Sequence, residues 1–141
     1  STMHSASAAG AMLRLLEMGI EPYQLTSSTQ AVLNQRLVRK ACADCAITNE
    51  ENELEAEGCE KCFGTGYRHR TVIAELVTMN SELRNALLEK PDIERINAII
   101  ANAKAQTMEE SARRLIKKKI TTRAEIRRHL ASPQGNENTN I

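Results

Sequence analysis

Cys42-Ala43-Asp44-Cys45, then thirteen residues, then Cys59-Glu60-Lys61-Cys62-Phe63-Gly64-Thr65-Gly66 is the stretch that decides how this chain is read. Each Cys-x-x-Cys pair forms a tight turn that aims two sulfurs at one point, and two such turns supply the four thiolates that a tetrahedral zinc ion takes. Gly64 is expected to let the backbone close over the metal so that amide hydrogens point at sulfur, while Gly58 and Gly66 permit the reversals on either side. Four thiolates on one divalent cation carry a formal charge of about −2. Arg39, Lys40, Lys61, Arg68 and Arg70 lie close enough in sequence to offset it. A shell closed by four sulfurs points to a structural rather than a catalytic ion. Three alternatives stay open on the residues alone. They are paired disulfides, iron in place of zinc, and His69 replacing one cysteine.

Outward from this segment, composition narrows the setting. The chain has 141 residues, a formal net charge of +1 and three aromatic side chains, Tyr23, Phe63 and Tyr67. A charge so near zero gives no global attraction to nucleic acid or membrane. The core must be built from Leu, Ile, Val, Met and Ala. No apolar run approaches the roughly 18 residues of a membrane span, and residues 1–10 lack the pattern of a signal peptide. The expectation is a cytosolic protein, in which paired thiols serve metals more often than disulfides.

Periodicity gives the rest. Ala9, Met12, Leu13 and Leu16 recur at helical spacing between residues 5 and 18, with Gly19 as a C-terminal cap. A second helix is expected after Pro22, capped by Thr26-Ser27-Ser28, with Ala31, Val32 and Leu37 on its apolar face. Residues 41–70 read as a loop-rich metal module with an acidic run at Glu50, Glu51, Glu53, Glu55 and Glu57. Residues 71–77 are β-branched and apolar, long enough for one strand that contains Glu75 and has no evident partner in the chain. Helices follow to the end. Ser81 is expected to cap one carrying Leu83, Leu87 and Leu88, and Pro91-Asp92 breaks it before a face of Ile93, Ile96, Ile99 and Ile100. The last two helices begin at capping boxes, Thr107 with Glu110 and Thr122 with Glu125. The fold class is thus mainly α with a small zinc-binding loop/β module. From Arg113 to Arg128 eight Lys or Arg residues outnumber the acids. That stripe allows a second reading, a stand-alone zinc ribbon that binds nucleic acid or a protein partner.

The order of motifs carries a resemblance. Ser1-Thr2-Met3-His4, Arg14-Leu15, Met18-Gly19-Ile20, Gln35-Arg36-Leu37-Val38-Arg39, the two cysteine pairs, Gly66-Tyr67-Arg68-His69-Arg70 and Glu75 follow one another as in the C-terminal part of the secretion ATPases. That family comprises the type II secretion and type IV pilus assembly ATPases, and the likeness covers roughly residues 1–130. The second cysteine pair is also similar to one repeat of the DnaJ-type zinc region. Ala46-Ile47 stand where that repeat needs glycines, so the kinship is rejected.

The resemblance implies a C-terminal fragment of a RecA-like α/β P-loop ATPase. Residues 1–38 would be the tail of the RecA-like domain, 39–70 the tetracysteine zinc module, 71–130 a helical C-terminal subdomain and 131–141 a disordered tail. It implies a homo-hexameric motor at the cytoplasmic face of the inner membrane. That motor would work with secretion or pilus platform proteins, without nucleic acid, and convert ATP hydrolysis into pseudopilus or pilus assembly. His4 matches the histidine of the family's histidine box and is the single catalytic-site candidate, although Ser5-Ala6 replace the usual Thr-Asn after it. Lys119 stands where the family tends to have glycine, which predicts a looser cap on the helix before it. ATP and Mg²⁺ would belong to the full-length parent. Neither a Gly-x-x-x-x-Gly-Lys-Ser/Thr loop nor a magnesium-binding acidic box occurs in residues 1–141, so the fragment is expected not to hydrolyse ATP.

Overall fold

The computed structural model describes residues 2–103 and 106–130. Ser1, Lys104, Ala105 and the expected tail at 131–141 lie outside the described residues. The elements run α1 Ala8–Glu17, α2 Pro22–Ser28, β1 Ala31–Ala41, β2 Ala46–Thr48, β3 Leu54–Ala56, a 3-10 turn Glu60–Cys62, and β4 Tyr67–Thr78. Four helices follow: α3 Ser81–Glu89, α4 Ile93–Asn102, α5 Met108–Lys117 and α6 Arg123–Leu130. β1 is hydrogen-bonded to β4, and β2 to β3 in an antiparallel hairpin.

Two expectations change here. The second helix is Pro22–Ser28, so Thr26-Ser27-Ser28 form its last turn and do not cap its start, and the residues assigned to its apolar face form β1 instead. From Ala31 the side chains alternate, with Val32, Asn34, Arg36 and Val38 inward and Leu33, Gln35 and Leu37 exposed. That period of two fits a strand and not a helix. The strand expected at 71–77 begins earlier, at Tyr67, and its partner is β1 within this chain. Both errors have one source. Reading β1 as a helix removed the pairing partner of β4.

The chain divides into two compact units, residues 1–34 with 74–107 and residues 35–73 with 108–141. In the first, Met12 of α1, Leu25 of α2, Val77 of β4, Leu83 and Leu87 of α3, and Ile96 of α4 form one buried cluster. Helix ends are set by short polar side chains. Ser7 Oγ accepts the Gly10 amide at 3.1 Å, and Asp92 accepts those of Glu94 and Arg95 at 2.8 and 3.0 Å. Asn80, not Ser81, caps α3, through the Leu83 amide at 2.8 Å. Gly19 closes α1 as expected, its amide reaching the Leu16 carbonyl at 2.9 Å. Glu75, an acid inside an apolar strand, accepts the Ala8 amide at 2.6 Å and the Asn34 side-chain amide at 3.0 Å. Its charge therefore meets the positive end of the α1 dipole, which accounts for a carboxylate in that strand.

The second unit has a smaller core of Val38 from β1, Ile73 from β4, Met108 and Ala112 from α5, and Ile126 from α6. α5 and α6 start where the two capping boxes predict. At α6 only half of the box forms. Thr122 Oγ1 accepts the Glu125 amide at 3.1 Å, but the Glu125 carboxylate turns to Arg39 of β1, accepting from its backbone N and Nε at 2.9 Å each and its Nη2 at 2.6 Å. A guanidinium offers charge-assisted bonds that a backbone amide does not. Lys119 adopts φ 54°, and its own amide and that of Ile120 still reach the Ile116 and Leu115 carbonyls at 2.8 and 3.0 Å. The expected looseness of this cap is absent. The Lys119 ammonium explains why a non-glycine residue sits there, since it donates to Asn52 Oδ1 at 2.8 Å and Thr48 Oγ1 at 3.2 Å.

Candidate metal centre

β1 delivers Cys42, whose amide donates to the Gly66 carbonyl at 2.9 Å and fixes the point where the first turn leaves the strand. Cys45 and Ala46 then turn back, donating to the Cys42 carbonyl at 3.3 and 2.9 Å. The β2–β3 hairpin carries the chain out and returns it with Ala46 opposite Ala56, Ile47 opposite Glu55 and Thr48 opposite Leu54. The acidic run is thus largely a hairpin and its tip. Glu55 accepts from the Asn49 amide group at 2.8 Å, and Glu53 pairs with Arg123 at 2.7 Å. The 3-10 turn then presents Cys59 and Cys62, with the Gly64 amide closing on the Cys59 carbonyl at 2.9 Å.

The sulfurs of Cys42, Cys45, Cys59 and Cys62 all lie within 4.8 Å of one another. Cys42–Cys59, Cys45–Cys62 and Cys59–Cys62 are 3.9, 3.8 and 3.7 Å apart. Four sulfurs each about 2.3 Å from one tetrahedral ion are about 3.8 Å apart, whereas a disulfide needs about 2.05 Å. The set therefore fits a single metal ion. Cys42 and Cys62 are buried and the other two half-buried, so the site is shielded without being sealed.

Two amides reach Cys62 Sγ, those of Cys59 and Gly66 at 3.1 and 3.2 Å, and the Gly58 backbone donates to the Cys45 sulfur. Gly64, the residue expected to enable this, instead shapes the turn. Desolvation is the largest influence on the Cys62 thiol and pushes it up, but these two amides and the neighbouring thiols outweigh it, leaving it down at about 6. Desolvation dominates at Cys45, where the thiol is pushed up to about 12. Such amide donors are the outer shell that stabilises thiolate ligands. Lys61 approaches the site but pairs with Asp44. Arg39, expected to balance the cluster charge, is committed to Glu125 and stacks over the Tyr67 ring at 4.0 Å.

Gly66 is the residue whose role the sequence showed least. With φ +74°, an added Cβ would lie 2.5 Å from the Ala56 carbonyl oxygen and 2.7 Å from its carbon. Gly66→Ala is expected to destabilise the metal module by about 2 kcal/mol, through left-handed strain and overlap with backbone that cannot yield. Chelator competition should show correspondingly weaker metal retention. The sequence places Arg123 in a basic stripe and Lys119 there and at a helix cap, with no sign that both tie the hairpin tip to the segment from α5 to α6. His69 lies exposed in β4 at φ 65° and is not part of the four-sulfur group. His4 is exposed near α1, its carbonyl accepting from Arg14 Nη1 at 2.9 Å.

No helix among the described residues is long and apolar enough to cross a membrane. Comparison with known proteins gives a consistent family. The family model for Type II/IV secretion system protein matches residues 1–128. Type II secretion system protein E of Pectobacterium carotovorum subsp. carotovorum is 36% identical over 140 residues, covering 89% of this chain and 28% of that protein. The protein of the same name from Aeromonas hydrophila is 46% identical over 103 residues, covering 62% and 21%. Type IV pilus assembly ATPase PilB of Thermus thermophilus is 32% identical over 144 residues, covering 89% of this chain and 16% of its own length. The chain thus spans between about a sixth and somewhat more than a quarter of the length of these relatives. Among solved structures, the ATPase DotB of Yersinia pseudotuberculosis matches with a TM-score of 0.57 at 18% identity, over 89% of this chain and 28% of that one. DotB of Legionella pneumophila gives 0.57 at 17%, over 91% and 30%. These two establish the likeness of fold. With a family model covering nearly its whole length, the chain belongs to the Type II/IV secretion system protein family.

Proposed function

We propose that this chain is the zinc-binding C-terminal region of a cytoplasmic motor ATPase that powers pseudopilus or pilus assembly. The observation that carries the zinc assignment is the four-sulfur cluster with spacings of 3.7 to 3.9 Å, which suits a d¹⁰ ion with no preference beyond four soft ligands. Cys42, Cys45, Cys59 and Cys62 would hold the ion, the Cys59 and Gly66 amides would orient Cys62, and no open position would remain for chemistry. When bound, zinc supplies folding free energy to a module whose strands have three residues each.

The motor assignment rests on family membership and on names such as type IV pilus assembly ATPase. Under it, residues 1–38 are the tail of the RecA-like domain, 39–70 the zinc module, and 71–130 the helical subdomain. His4 is then the histidine-box residue near the nucleotide phosphates, in a homo-hexamer docked on inner-membrane platform proteins. ATP and Mg²⁺ would bind residues outside 1–141, because the phosphate-cradling loop is not among them.

Two measurements test this. Elemental analysis of protein purified without added metal should find one zinc per chain, with four thiols titrating only after denaturation in chelator. Iron, or no metal with no free thiols, would overturn the zinc assignment. Translation of the gene upstream of Ser1 should reveal a Gly-x-x-x-x-Gly-Lys-Ser/Thr loop. A start codon adjoining Ser1 would overturn the motor assignment and leave a stand-alone zinc module.

A further inference from the structure

A cleft of about 710 Å³ lies in the second unit between the tip of the β2–β3 hairpin and the outer faces of α5 and α6. Its cations are placed by helical spacing. Arg113 and Lys117 are one turn apart on α5, and Arg123 and Arg127 one turn apart on α6, so each helix projects a pair along one edge. Two of the lining cations have structural duties, Lys119 bonding Asn52 and Arg123 pairing with Glu53. Arg113, Lys117 and Arg127 are exposed and take part in no ion pair among the described residues.

The remaining lining decides what such a cleft accepts. Ile116 and Leu54 give it an apolar floor, both half-buried, while Glu51 and Glu53 stand on the hairpin side. A compact polyanion such as a phosphate chain would gain from the cations but would face those carboxylates and leave the floor uncovered. An extended segment with carboxylates along one edge and an aliphatic side chain between them would meet Arg113, Lys117 and Arg127, and would also cover Ile116 and Leu54. We propose that this cleft is a docking site for an acidic, leucine-containing peptide segment of a protein partner. The assignment goes beyond the motor reading and does not depend on it. Charge complementarity of this kind acts mainly on encounter and register, with the apolar contact setting residence.

The test is fluorescence anisotropy with a labelled peptide, acetyl-Glu-Glu-Leu-Glu-Glu-Leu-Glu-Glu-amide, added to the full chain. Saturable binding is expected, weakened about tenfold or more by Arg113→Glu or Arg127→Glu, equal to about 1.4 kcal/mol. Lys118→Glu and Arg128→Glu change net charge equally at exposed positions outside the cleft. These are expected to weaken binding much less, and replacing both leucines of the peptide by serine should cost affinity as well. Circular dichroism and metal content should match the parent in all four variants. Equal losses in cleft and control variants would reduce the effect to diffuse charge and overturn the proposal, as would absence of saturable binding. Binding of inorganic tripolyphosphate or of phosphatidylglycerol vesicles, with the same dependence on Arg113 and Arg127 while the peptide fails, would assign the cleft to phosphate chemistry instead.

Discussion

Cys59→Ser is expected to abolish metal retention and unfold the module from Cys42 to Gly66, leaving α3 and α4 folded. The size of the effect follows from what else holds the module. β2 and β3 have three residues each, and in the hairpin Ile47 is exposed while the β2 and β3 side chains turned inward are only half-buried. Against this, structural zinc sites contribute roughly 10–16 kcal/mol of binding free energy at neutral pH. Removal of one of four ligands leaves three thiolates that a solvated ion leaves readily, and the hairpin has little core to fall back on. The helices α3 and α4 sit in the first unit on their own cluster of Leu83, Leu87, Ile96 and Ile99, which contains no cysteine. Backbone amide spectra should therefore lose dispersion for the module while resonances of α3 and α4 stay in place. Metal content unchanged from the parent would show that Cys59 is not a ligand.

The cysteines, the helix starts at the two capping boxes and the C-terminal helices were legible in the sequence because each is a local signal. Spacing within a turn, an Asp or Thr at a helix start, and apolar residues every third or fourth position need no knowledge of the rest of the chain. Thr122 acts as its position predicts. What failed was non-local. Residues 31–41 contain Val32, Leu33, Leu37 and Val38, a spacing that a helix and a strand both accommodate, and strand pairing with residues 67–78 decides between them. The half-formed capping box at Thr122 failed for the same reason. Glu125 could be read as a local cap, but its better partner is a guanidinium 86 residues earlier. Gly66 was legible as a glycine needed for a reversal, while the closeness of Ala56 that forbids any side chain there depends on the hairpin register.

Glu125 is where the second large effect is expected. Its side chain is fully buried beside the Ile126 core, with Arg39 on one carboxylate oxygen through two nitrogens and the Arg39 backbone amide and His129 Nε2 on the other, the last at 3.2 Å. Arg39 in turn stacks on Tyr67, whose hydroxyl meets Thr122 Oγ1 at 2.7 Å, and Arg36 reaches the His129 carbonyl. Desolvation is the largest influence on the carboxyl and pushes it up, but the bonds from Arg39 together outweigh it and hold the group at about 2 against its usual 4.5. Glu125→Gln removes the charge while keeping the shape, and leaves Arg39 with no anion in its bay. A loss of about 3 kcal/mol is expected at pH 7, from both the size of that displacement and the usual cost of breaking a buried pair. For a chain of this length that is about 10 °C in Tm. The pH dependence fixes the cause. A carboxyl whose folded pKa lies below its unfolded value contributes its stability above pH 4.5 and loses it as pH falls towards 2. The gap in stability between parent and Glu125→Gln should therefore be full at pH 6 to 7 and narrow steadily below 4.5. Any acid-driven loss of metal is common to both proteins and cancels in that difference. A gap that stays constant from pH 7 to pH 3 would mean that Glu125 acts through packing alone, and the ion pair with Arg39 would contribute nothing to the fold.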